Sequence, residues 1–204
     1  MSETVLEVAG WQMEALRGDY DIQPLNIGDG VVLDIGANEG FFCIWARMRF
    51  PAAEIHCYEP AKAQFEILKN RCDQFGGVHC HNVAVTNSAH PFLHYGVNCS
   101  GEQSIHNIGH QQQEGEFVES IPPSSLPKAD FVKIDTEGCE IEILTGILSK
   151  SCPKGIALEW HSTEDRKRLA QILDEVGYTV EEYPNIMMLL AKGVNVGIMK
   201  AYFA

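Results

Sequence analysis

Several carboxylate side chains in this sequence follow short apolar runs, at positions where they can take part in chemistry. Asp34 lies near the end of the apolar run Val31–Ile35, and Asp135 directly follows the run Phe131–Ile134. Both runs fit short buried strands, and the carboxyl ends of parallel strands meet at one edge of a sheet, where ligands bind. Acids gathered at such an edge can bind ligand hydroxyl groups or accept a proton from a reacting group.

A glycine turn follows the first of these runs. Gly36 and Gly40 permit backbone conformations and close approaches that other residues forbid, so the pair predicts a sharp turn that a ligand can contact. Apolar side chains then recur at the spacing of one helix face, at Phe41, Ile44, Trp45 and Met48. Strand, glycine turn and helix in this order predict the opening of a nucleotide-binding α/β unit.

The motifs in these two regions resemble those of one enzyme family. The spacing G-x-x-x-G differs from the G-x-G-x-x-G of dinucleotide-binding proteins, which argues against a nicotinamide cofactor. The pattern D-x-G-x-N-x-G at residues 34–40 resembles the first motif of the S-adenosylmethionine-dependent methyltransferases, and the variant L-D-I-G-A-N-x-G resembles the FkbM family of small-molecule methyltransferases. The segment K-I-D-x-E-G-x-E at residues 133–140 resembles the most recognisable segment of that family. The resemblance covers about residues 25–165.

The resemblance implies a Rossmann-like class I methyltransferase fold of the α/β class. Its sheet has seven strands in the order 3-2-1-4-5-7-6, with strand 7 antiparallel and helices on both faces. We expect a single methyltransferase domain over residues 1–204, because this length suffices for one self-supporting core. Residues 1–29 are expected to form an N-terminal cap segment. Residues 86–129 are expected to form an insertion near the substrate pocket, with a β-hairpin around residues 90–121.

Local patterns assign the remaining strands. Residues 78–85 predict a third strand, and residues 178–183 and 186–191 predict a closing antiparallel pair. The tail, residues 198–203, is expected to be either a last strand or a packed terminus.

The resemblance also implies S-adenosyl-L-methionine as the cofactor. In the glycine turn, its binding residues are then Asp34, Gly36, Ala37, Asn38 and Gly40.

Glu59 is the candidate that binds the ribose of this cofactor, and the adjacent Pro60 is also expected to be a cofactor-binding residue. It ends a second predicted strand, precedes Pro60 and follows Gly40 by 19 residues, which suits an acid that accepts hydrogen bonds from ribose hydroxyls. The alternative is that Glu59 only stabilises the start of the next helix. Asn82 and Val83 resemble the family's third motif, where the chain passes the adenine, so Asn82 is expected to bond the edge of the ring and Val83 to pack on it. The alternative for Asn82 is a polar position late in a strand.

A second group of acids, with one histidine, supplies the candidate catalytic residues. By resemblance and geometry, Asp135 lies beside the methyl-donor end of the cofactor, Glu137 faces the substrate, and Glu140 stabilises a helix N-terminus. Glu159 and His161 end a fifth predicted strand, in an E-x-H pattern that resembles that of the family. A hydroxyl acceptor benefits from a base that removes its proton. His161 is our first choice for this base, oriented by Glu159 or Glu137, and Glu137 is the second choice.

The position of His161 depends on the helix that follows it. Ser162 and Asp165 predict a capping box, and Gly177 predicts the end of the helix. The histidine is therefore expected at the junction of strand and helix. The alternative is that a histidine at the start of a helix is only structural.

No metal ion is expected in this protein. One alternative places the four catalytic candidates around Mg²⁺, because this ion prefers oxygen ligands. His79 and His81 fall on one face of a predicted strand, but two histidines without a third placed ligand do not make a metal site.

The expected reaction is methyl transfer to a hydroxyl of a small molecule, either a sugar or a secondary metabolite. Transfer to an amine or amide nitrogen stays open. Two other classes also stay open: a nicotinamide-dependent oxidoreductase, and a module that binds the cofactor without catalysis.

The charge and composition of the chain limit the kinds of partner and the cellular location that we expect. The net charge of −13 repels phosphate backbones, so nucleic acid is not an expected partner. No apolar run approaches the roughly 20 residues of a membrane helix, so no membrane partner is expected either. The first residues lack the pattern of a secretory signal, and the seven cysteines are scattered and odd in number. Reduced thiols and a cytoplasmic location are therefore expected.

Overall fold

A seven-stranded sheet forms the centre of the protein. The computed structural model describes residues 18–89, 92–94, 115–184 and 196–203. The strands are β1 Val31–Ile35, β2 Glu54–Tyr58, β3 Val78–His81, β4 Ala84–Val85, β5 Phe92–His94, β6 Gly115–Phe117, β7 Ser120–Ile121, β8 Phe131–Ile134, β9 Gly155–Trp160, β10 Thr179–Pro184 and β11 Gly197–Tyr202. The helices are α1 Phe41–Arg49, α2 Lys62–Cys72, α3 Glu140–Leu148 and α4 Thr163–Val176, with a 3₁₀ turn at Pro123–Ser125.

The order of the strands confirms the predicted topology. The sheet runs β10-β11-β9-β8-β1-β2-β3, which is 6-7-5-4-1-2-3 when its strands are numbered along the chain. Strand β11 is antiparallel to both β9 and β10, whereas β9, β8, β1, β2 and β3 are parallel neighbours. The chain order reverses between β1 and β8, so a crevice forms beyond the carboxyl ends of these two strands.

Helices cover both faces of the sheet. The central strands β1 and β8 are apolar and buried almost throughout, as expected for parallel strands with a layer on each side. One face packs against α1 and α2, and the other packs against α3 and α4. Tyr20, Ile22 and Ile27, which precede β1, are buried on the α1 side. Residues 1–17 of the expected cap segment lie outside the described residues.

The buried face of α1 differs from the predicted one. Met48 is 70% exposed, whereas Phe42, Trp45 and Ala46 are buried. The rings of Phe42 and Trp45 lie 6.2 Å and 6.4 Å from that of Phe131 on β8, measured between centroids. Of the four residues predicted to face the core, only Trp45 is buried. The buried face of the helix is therefore rotated relative to the predicted one.

The predicted third strand is interrupted at Asn82. The side-chain amide of Asn82 donates hydrogen bonds to the carbonyls of Glu59 and Pro60, at 2.9 Å each, and β3 ends at the preceding residue. The short strand β4 then pairs in parallel with β7, outside the main sheet. The expected hairpin is present as the antiparallel pair β5–β6. Its connecting residues, 95–114, lie outside the described part of the chain.

The last described strand is the neighbour of β10 in the main sheet. Strand β10 pairs with β11, so residues 197–202 complete the sheet. Residues 186–191, which we had expected to pair with β10, lie outside the described residues. Alternation of apolar residues identifies a strand but does not identify its neighbour.

Helix α4 begins and ends where the sequence predicts. The hydroxyl oxygen of Ser162 accepts a hydrogen bond from the backbone N–H of Asp165 at 3.0 Å, and Gly177 adopts a left-handed conformation with φ 94°. His161 is therefore held between β9 and the cap of α4. None of the helices within the described ranges is long and apolar enough to span a membrane.

Four thiols lie together between the sheet and helices α1 and α2. Cys43 and Cys80 each interact with both Cys57 and Cys72, so the thiols form a closed ring of contacts. All four are free thiols. The ring lies directly under the glycine turn, because a methyl group at Gly40 would come within 3.1 Å of the sulfur of Cys72.

Candidate active site

A cavity opens beside the glycine turn, at the carboxyl ends of β1 and β8. Its volume is about 330 Å³, at the lower end of the range for small-molecule sites. Four predicted cofactor residues line it: Gly36, Ala37, Asn38 and Asp135. The remaining lining residues are Tyr20, Glu39, Phe41, Phe42 and Lys133.

The backbone at Gly36 is packed too closely for any side chain. Gly36 has φ 77°, and a methyl group there would lie 1.7 Å from the carbonyl oxygen of Asp135. The N–H groups of Gly36 and Ala37 both donate to the carbonyl of Tyr58 at 3.0 Å. Asn38 is also left-handed, with φ 47°. The turn therefore presents main chain to the cavity, as a nucleotide-binding turn requires.

Gly40 has a supporting position in this turn. It has φ 85°, and a methyl group on it would lie 2.7 Å from a side-chain carbon of Leu68 on α2. Glycine at this position allows the turn to pack against α2, and Gly40 does not line the cavity.

Glu59 binds the glycine turn and the start of α2 at the same time. One carboxylate oxygen accepts the backbone N–H of Asn38 at 2.8 Å, and the other accepts that of Ala61 at 2.8 Å. Burial raises the pKa of Glu59, and the two N–H donors partly oppose this rise. Each carboxylate oxygen has a second lone pair, so these bonds leave capacity for ligand hydroxyls. Helix α2 begins at Lys62, two residues after Pro60.

Asp34 lies behind the turn and does not line the cavity. Its side chain is fully buried, and its carboxylate oxygen lies 3.3 Å from the ammonium of Lys133. Burial raises the pKa of Asp34 to about 7, although the charge of Lys133 opposes the shift. Lys133 also donates to the carbonyl of Gly36 at 2.5 Å and lies 3.7 Å from the carboxylate of Asp135. Lys133 therefore joins the ends of β1 and β8.

Neither Lys133 nor Tyr20 was predicted as a site residue. A signal for Lys133 was present, because a lysine within an apolar strand needs a buried partner. Tyr20 offered no such signal in the sequence. Its ring packs edge-on against Phe42 at 5.4 Å, and burial, followed by the charges of Asp135 and Glu159, raises its pKa well above the usual value. Its hydroxyl therefore keeps its proton and can act as a hydrogen-bond donor near these acids.

The predicted catalytic residues converge on His161. Its Nε2 atom lies 3.4 Å from a carboxylate oxygen of Glu137 and 3.7 Å from one of Glu159, and its Nδ1 atom lies 3.6 Å from one of Glu140. Strand β9 supplies Glu159, and the loop before α3 supplies Glu137. These elements are neighbours because β8 pairs with β9.

The surrounding acids fix the charge of His161. Burial lowers the pKa of His161, but the carboxylates of Glu137 and Glu159 beside Nε2 and the charge of Glu140 outweigh burial and raise it to about 12. Burial, followed by the charge of Asp135, raises the pKa of Glu159 to about 8, while His161 opposes this shift. His161 is therefore an imidazolium at neutral pH and cannot accept a proton in this state. This result argues against our first choice of base.

The loop that carries Glu137 has an unusual backbone. Glu137 adopts φ 55°, a left-handed conformation that is uncommon outside glycine, and Gly138 follows with φ 128°. The side chain of Glu140 holds this loop by accepting the backbone N–H groups of Thr136 and Gly138, each at 3.0 Å. Glu140 is also the first residue of α3, which agrees with its predicted role at a helix N-terminus. Such strain at a non-glycine residue is common at functional sites.

Three of these side chains are close enough to share a cation. Ligand atoms of Asp135, Glu159 and His161 lie within 4.8 Å of one another. The imidazolium of His161 already places a positive charge among the acids. An added metal ion would have to displace that proton before it could bind the ring.

Comparisons with known proteins show which proteins this chain is similar to. The model of the Methyltransferase FkbM domain matches residues 34–193. Methyltransferase sdnD of Sordaria araneosa is 22% identical over 202 residues, covering 79% of this chain and 78% of that protein. Hexuronic acid methyltransferase AglP of Haloferax volcanii is 26% identical over 188 residues, covering 84% of this chain and 74% of that protein.

A solved structure supports the same fold. Methyltransferase FkbM from Methylobacillus flagellatus superposes with a TM-score of 0.63 at 15% identity, over 88% of this chain and 45% of that chain. The family match begins at Asp34 and extends through the glycine turn, the Asp135–Glu140 segment and His161. The protein thus belongs to the FkbM family of methyltransferases.

Proposed function

We propose that the protein transfers a methyl group from S-adenosyl-L-methionine to a hydroxyl of a small molecule, with a sugar or a secondary metabolite as the acceptor class. The observation that carries this proposal is the position of the turn Gly36–Asn38, where Gly36 has no room for a side chain, beside the group formed by Asp135, Glu137, Glu159 and His161. The first element suits a nucleoside ligand, and the second suits proton transfer.

The residues present fit the proposed cofactor. The close contact between Gly36 and Asp135 leaves main chain facing the cavity, Asp135 lines the cavity, and Glu59 reaches the turn through the backbone N–H of Asn38. Glu59 would bind the ribose hydroxyls, Asn82 and Val83 the adenine, and Asp135 the methyl-donor end. When bound, S-adenosyl-L-methionine supplies an activated methyl group on a positively charged sulfur. The surplus of carboxylates over cations at this edge complements that positive charge.

Glu137 is our candidate for the base, in place of His161. The hydroxyl of the acceptor loses its proton as the new carbon–oxygen bond forms. The protonated ether is a far stronger acid than a carboxylic acid, so a carboxylate suffices to accept this proton. His161 holds the Glu137 carboxylate at 3.4 Å and thereby positions it. A placed base contributes about 10²- to 10⁴-fold, and alignment of the reacting groups roughly 7–11 kcal/mol.

Two arguments support an oxygen acceptor on a small molecule. The relative AglP is named for a hexuronic acid, and the acceptor atoms of such a sugar are all oxygens. The charge of −13 disfavours polyanionic acceptors such as nucleic acid. Residues 1–29 and the insertion at 86–129 would shape the acceptor pocket within the single domain.

Ligand titrations separate this proposal from the two other classes. We expect saturable binding of S-adenosylhomocysteine and none of NADH, and binding of NADH alone would reject the proposal. A screen with radiolabelled S-adenosyl-L-methionine over sugars, hydroxylated metabolites and amines then identifies the acceptor. Label in an acid- and base-stable ether supports a hydroxyl acceptor, whereas label only in amines would reject it. Tight cofactor binding without transfer to any acceptor would indicate a non-catalytic module.

A chelator tests the metal alternative at this site. We expect methyl transfer to continue in EDTA, because the imidazolium of His161 already neutralises part of the acidic group. Loss of activity that Mg²⁺ alone restores would instead favour the metal.

A further inference from the structure

A group of histidines and one glutamate lies on the sheet, away from the cavity. Glu54 and His56 alternate along β2, and His79 and His81 alternate along β3. His56 is directly opposite His79 in the parallel register, so all four side chains lie on the same face. Glu54 is 51% exposed, His79 48% and His56 17%, measured on the side chains. The sequence alone placed His79 and His81 on one face of a strand without a third metal ligand. In the structure, β2 adds Glu54 and His56 to the same face.

Two imidazole nitrogens converge on one carboxylate oxygen of Glu54. The Nε2 atom of His56 lies 3.3 Å from this oxygen, and the Nε2 atom of His79 lies 3.1 Å from it. All three ligand atoms lie within 4.8 Å of one another. In a tetrahedral site with metal–ligand bonds of about 2.0–2.1 Å, ligand atoms are about 3.3 Å apart. The two nitrogen–oxygen separations therefore match a metal-bound arrangement, and the two nitrogens lie within 4.8 Å of each other.

His81 occupies the position of an outer hydrogen-bond partner. Its Nε2 atom lies 3.3 Å from the Nδ1 atom of His56, on the opposite side of the ring from Glu54. The ring of His81 stacks on Tyr58 with 4.7 Å between centroids, which fixes its orientation. Metal-binding histidines usually donate their second ring N–H to such a partner, and this bond leaves the other nitrogen free for the metal.

From this geometry we infer a binding site for a divalent transition metal, formed by Glu54, His56 and His79 and supported by His81. Two imidazoles with one carboxylate suit Zn²⁺ better than Mg²⁺ or Ca²⁺, which prefer oxygen ligands. Three protein ligands leave a fourth position for water. The negative charge of the protein also favours the accumulation of cations.

The site is separate from the proposed methyl-transfer site. Glu54 begins β2, whereas Glu59 follows the end of this strand, five extended residues and roughly 16 Å away. The metal would link β2 to β3, the strand at one end of the main sheet. We expect the site to stabilise this edge and to leave methyl transfer unchanged.

Zinc titration of the metal-stripped protein tests the site. Wild-type protein is expected to bind one equivalent of Zn²⁺ that the variant His56→Gln/His79→Gln does not bind, as measured by calorimetry. Glu54→Gln should lower the affinity for this zinc ion at least tenfold, because it removes a charged ligand. His81→Phe removes the outer hydrogen-bond partner of His56 and should lower the affinity about 10- to 100-fold. Glu66→Gln, which removes an exposed carboxylate on α2, should bind zinc as the wild type does.

Cobalt substitution identifies the ligands of that equivalent. A Co²⁺ spectrum without sulfur-to-metal charge-transfer absorption supports histidine and carboxylate ligands, whereas such absorption would assign the metal to the thiol ring and overturn the proposal. Zinc stoichiometry and affinity that are the same in the wild type and in the double variant would also overturn it. If the circular dichroism of the double variant shows a folding defect, Glu54→Gln and His81→Phe alone decide the matter.

Discussion

The α-carbon of Gly36 lies against the carbonyl oxygen of Asp135, although 99 residues separate them in the chain. A methyl group at Gly36 would come within 1.7 Å of that oxygen, so the two strand ends that form the cavity are in direct main-chain contact.

This contact predicts that Gly36→Ala removes cofactor binding. The added carbon must push β1 and β8 apart, and the φ of 77° disfavours any side chain. We expect the affinity for S-adenosylhomocysteine to fall at least about 100-fold, about 2.7 kcal/mol, in calorimetric titrations. Gly76→Ala is the matched control, since no atom lies within 4 Å of its added carbon. Wild-type affinity in Gly36→Ala would show that the ligand binds elsewhere.

Glu59→Ala should weaken cofactor binding by on the order of tenfold or more, because bonds to ribose hydroxyls are lost. The substitution also removes the acceptors for the N–H groups of Asn38 and Ala61, so the melting temperature should fall as well. Glu59→Gln retains one oxygen acceptor and should give smaller changes in both measurements. A lower melting temperature with unchanged affinity would restrict Glu59 to a structural role.

His161 should remain protonated through neutral pH. Its pKa of about 12 lies above the ordinary value of 6.5, so its ion pairs stabilise the fold fully below pH 6.5 and are lost only as the pH rises towards 12. Nitrogen NMR of the imidazole ring is expected to show the imidazolium form at pH 8. Glu137→Gln should lower the pKa of this ring by removing one partner. A neutral ring at pH 8 in the wild type would restore His161 as the base.

Glu137→Gln should lower kcat by about 10²- to 10⁴-fold, the usual contribution of a placed base. Affinity for S-adenosylhomocysteine should stay within about twofold, because Glu137 faces the acceptor in our assignment. Glu175→Gln, at an exposed position on α4, controls for the loss of one negative charge. Equal kcat values for Glu137→Gln and the wild type would remove Glu137 from the mechanism.

Lys133→Met should destabilise the fold by about 3–5 kcal/mol, because the buried carboxylate of Asp34 loses its partner. Urea unfolding measures this change. Lys154→Met is the control, since its ion pair with Asp130 is largely exposed and should contribute about 0–1 kcal/mol. Addition of Asp34→Asn to Lys133→Met should recover part of the loss. Equal stability of both lysine variants would mean that Asp34 is not charged in the folded protein.

Local patterns were sufficient for the parts of the fold that depend on neighbouring residues. The glycine turn, the ends of α4 and the short buried strands all follow from side chains a few positions apart. The pairing of β10 with β11 does not follow from such local patterns. Alternation of apolar residues indicates a strand, but it does not indicate which strand is its neighbour. The break at Asn82 depended on carbonyls of Glu59 and Pro60, more than 20 residues earlier.

The site was predictable as a set of residues but not as a charge state. Acids at strand ends indicated which side chains would meet, and the structure brings Glu137, Glu159 and His161 together. The pKa of His161 depends on burial and on the carboxylates of Glu137, Glu140 and Glu159, which come from separate elements. Spacing along the sequence does not specify how these groups are arranged around the ring. Tyr20 lines the cavity through tertiary packing alone.

Strand β11 lies between β9 and β10 although it follows both in the chain. On the ribosome, β9 therefore emerges with one hydrogen-bonding edge open, and that edge stays open until β11 has been synthesised. The edge belongs to an almost entirely apolar strand, which is the kind that pairs with other chains when left unprotected. Expression of this protein should therefore benefit from chaperones that shield nascent chains.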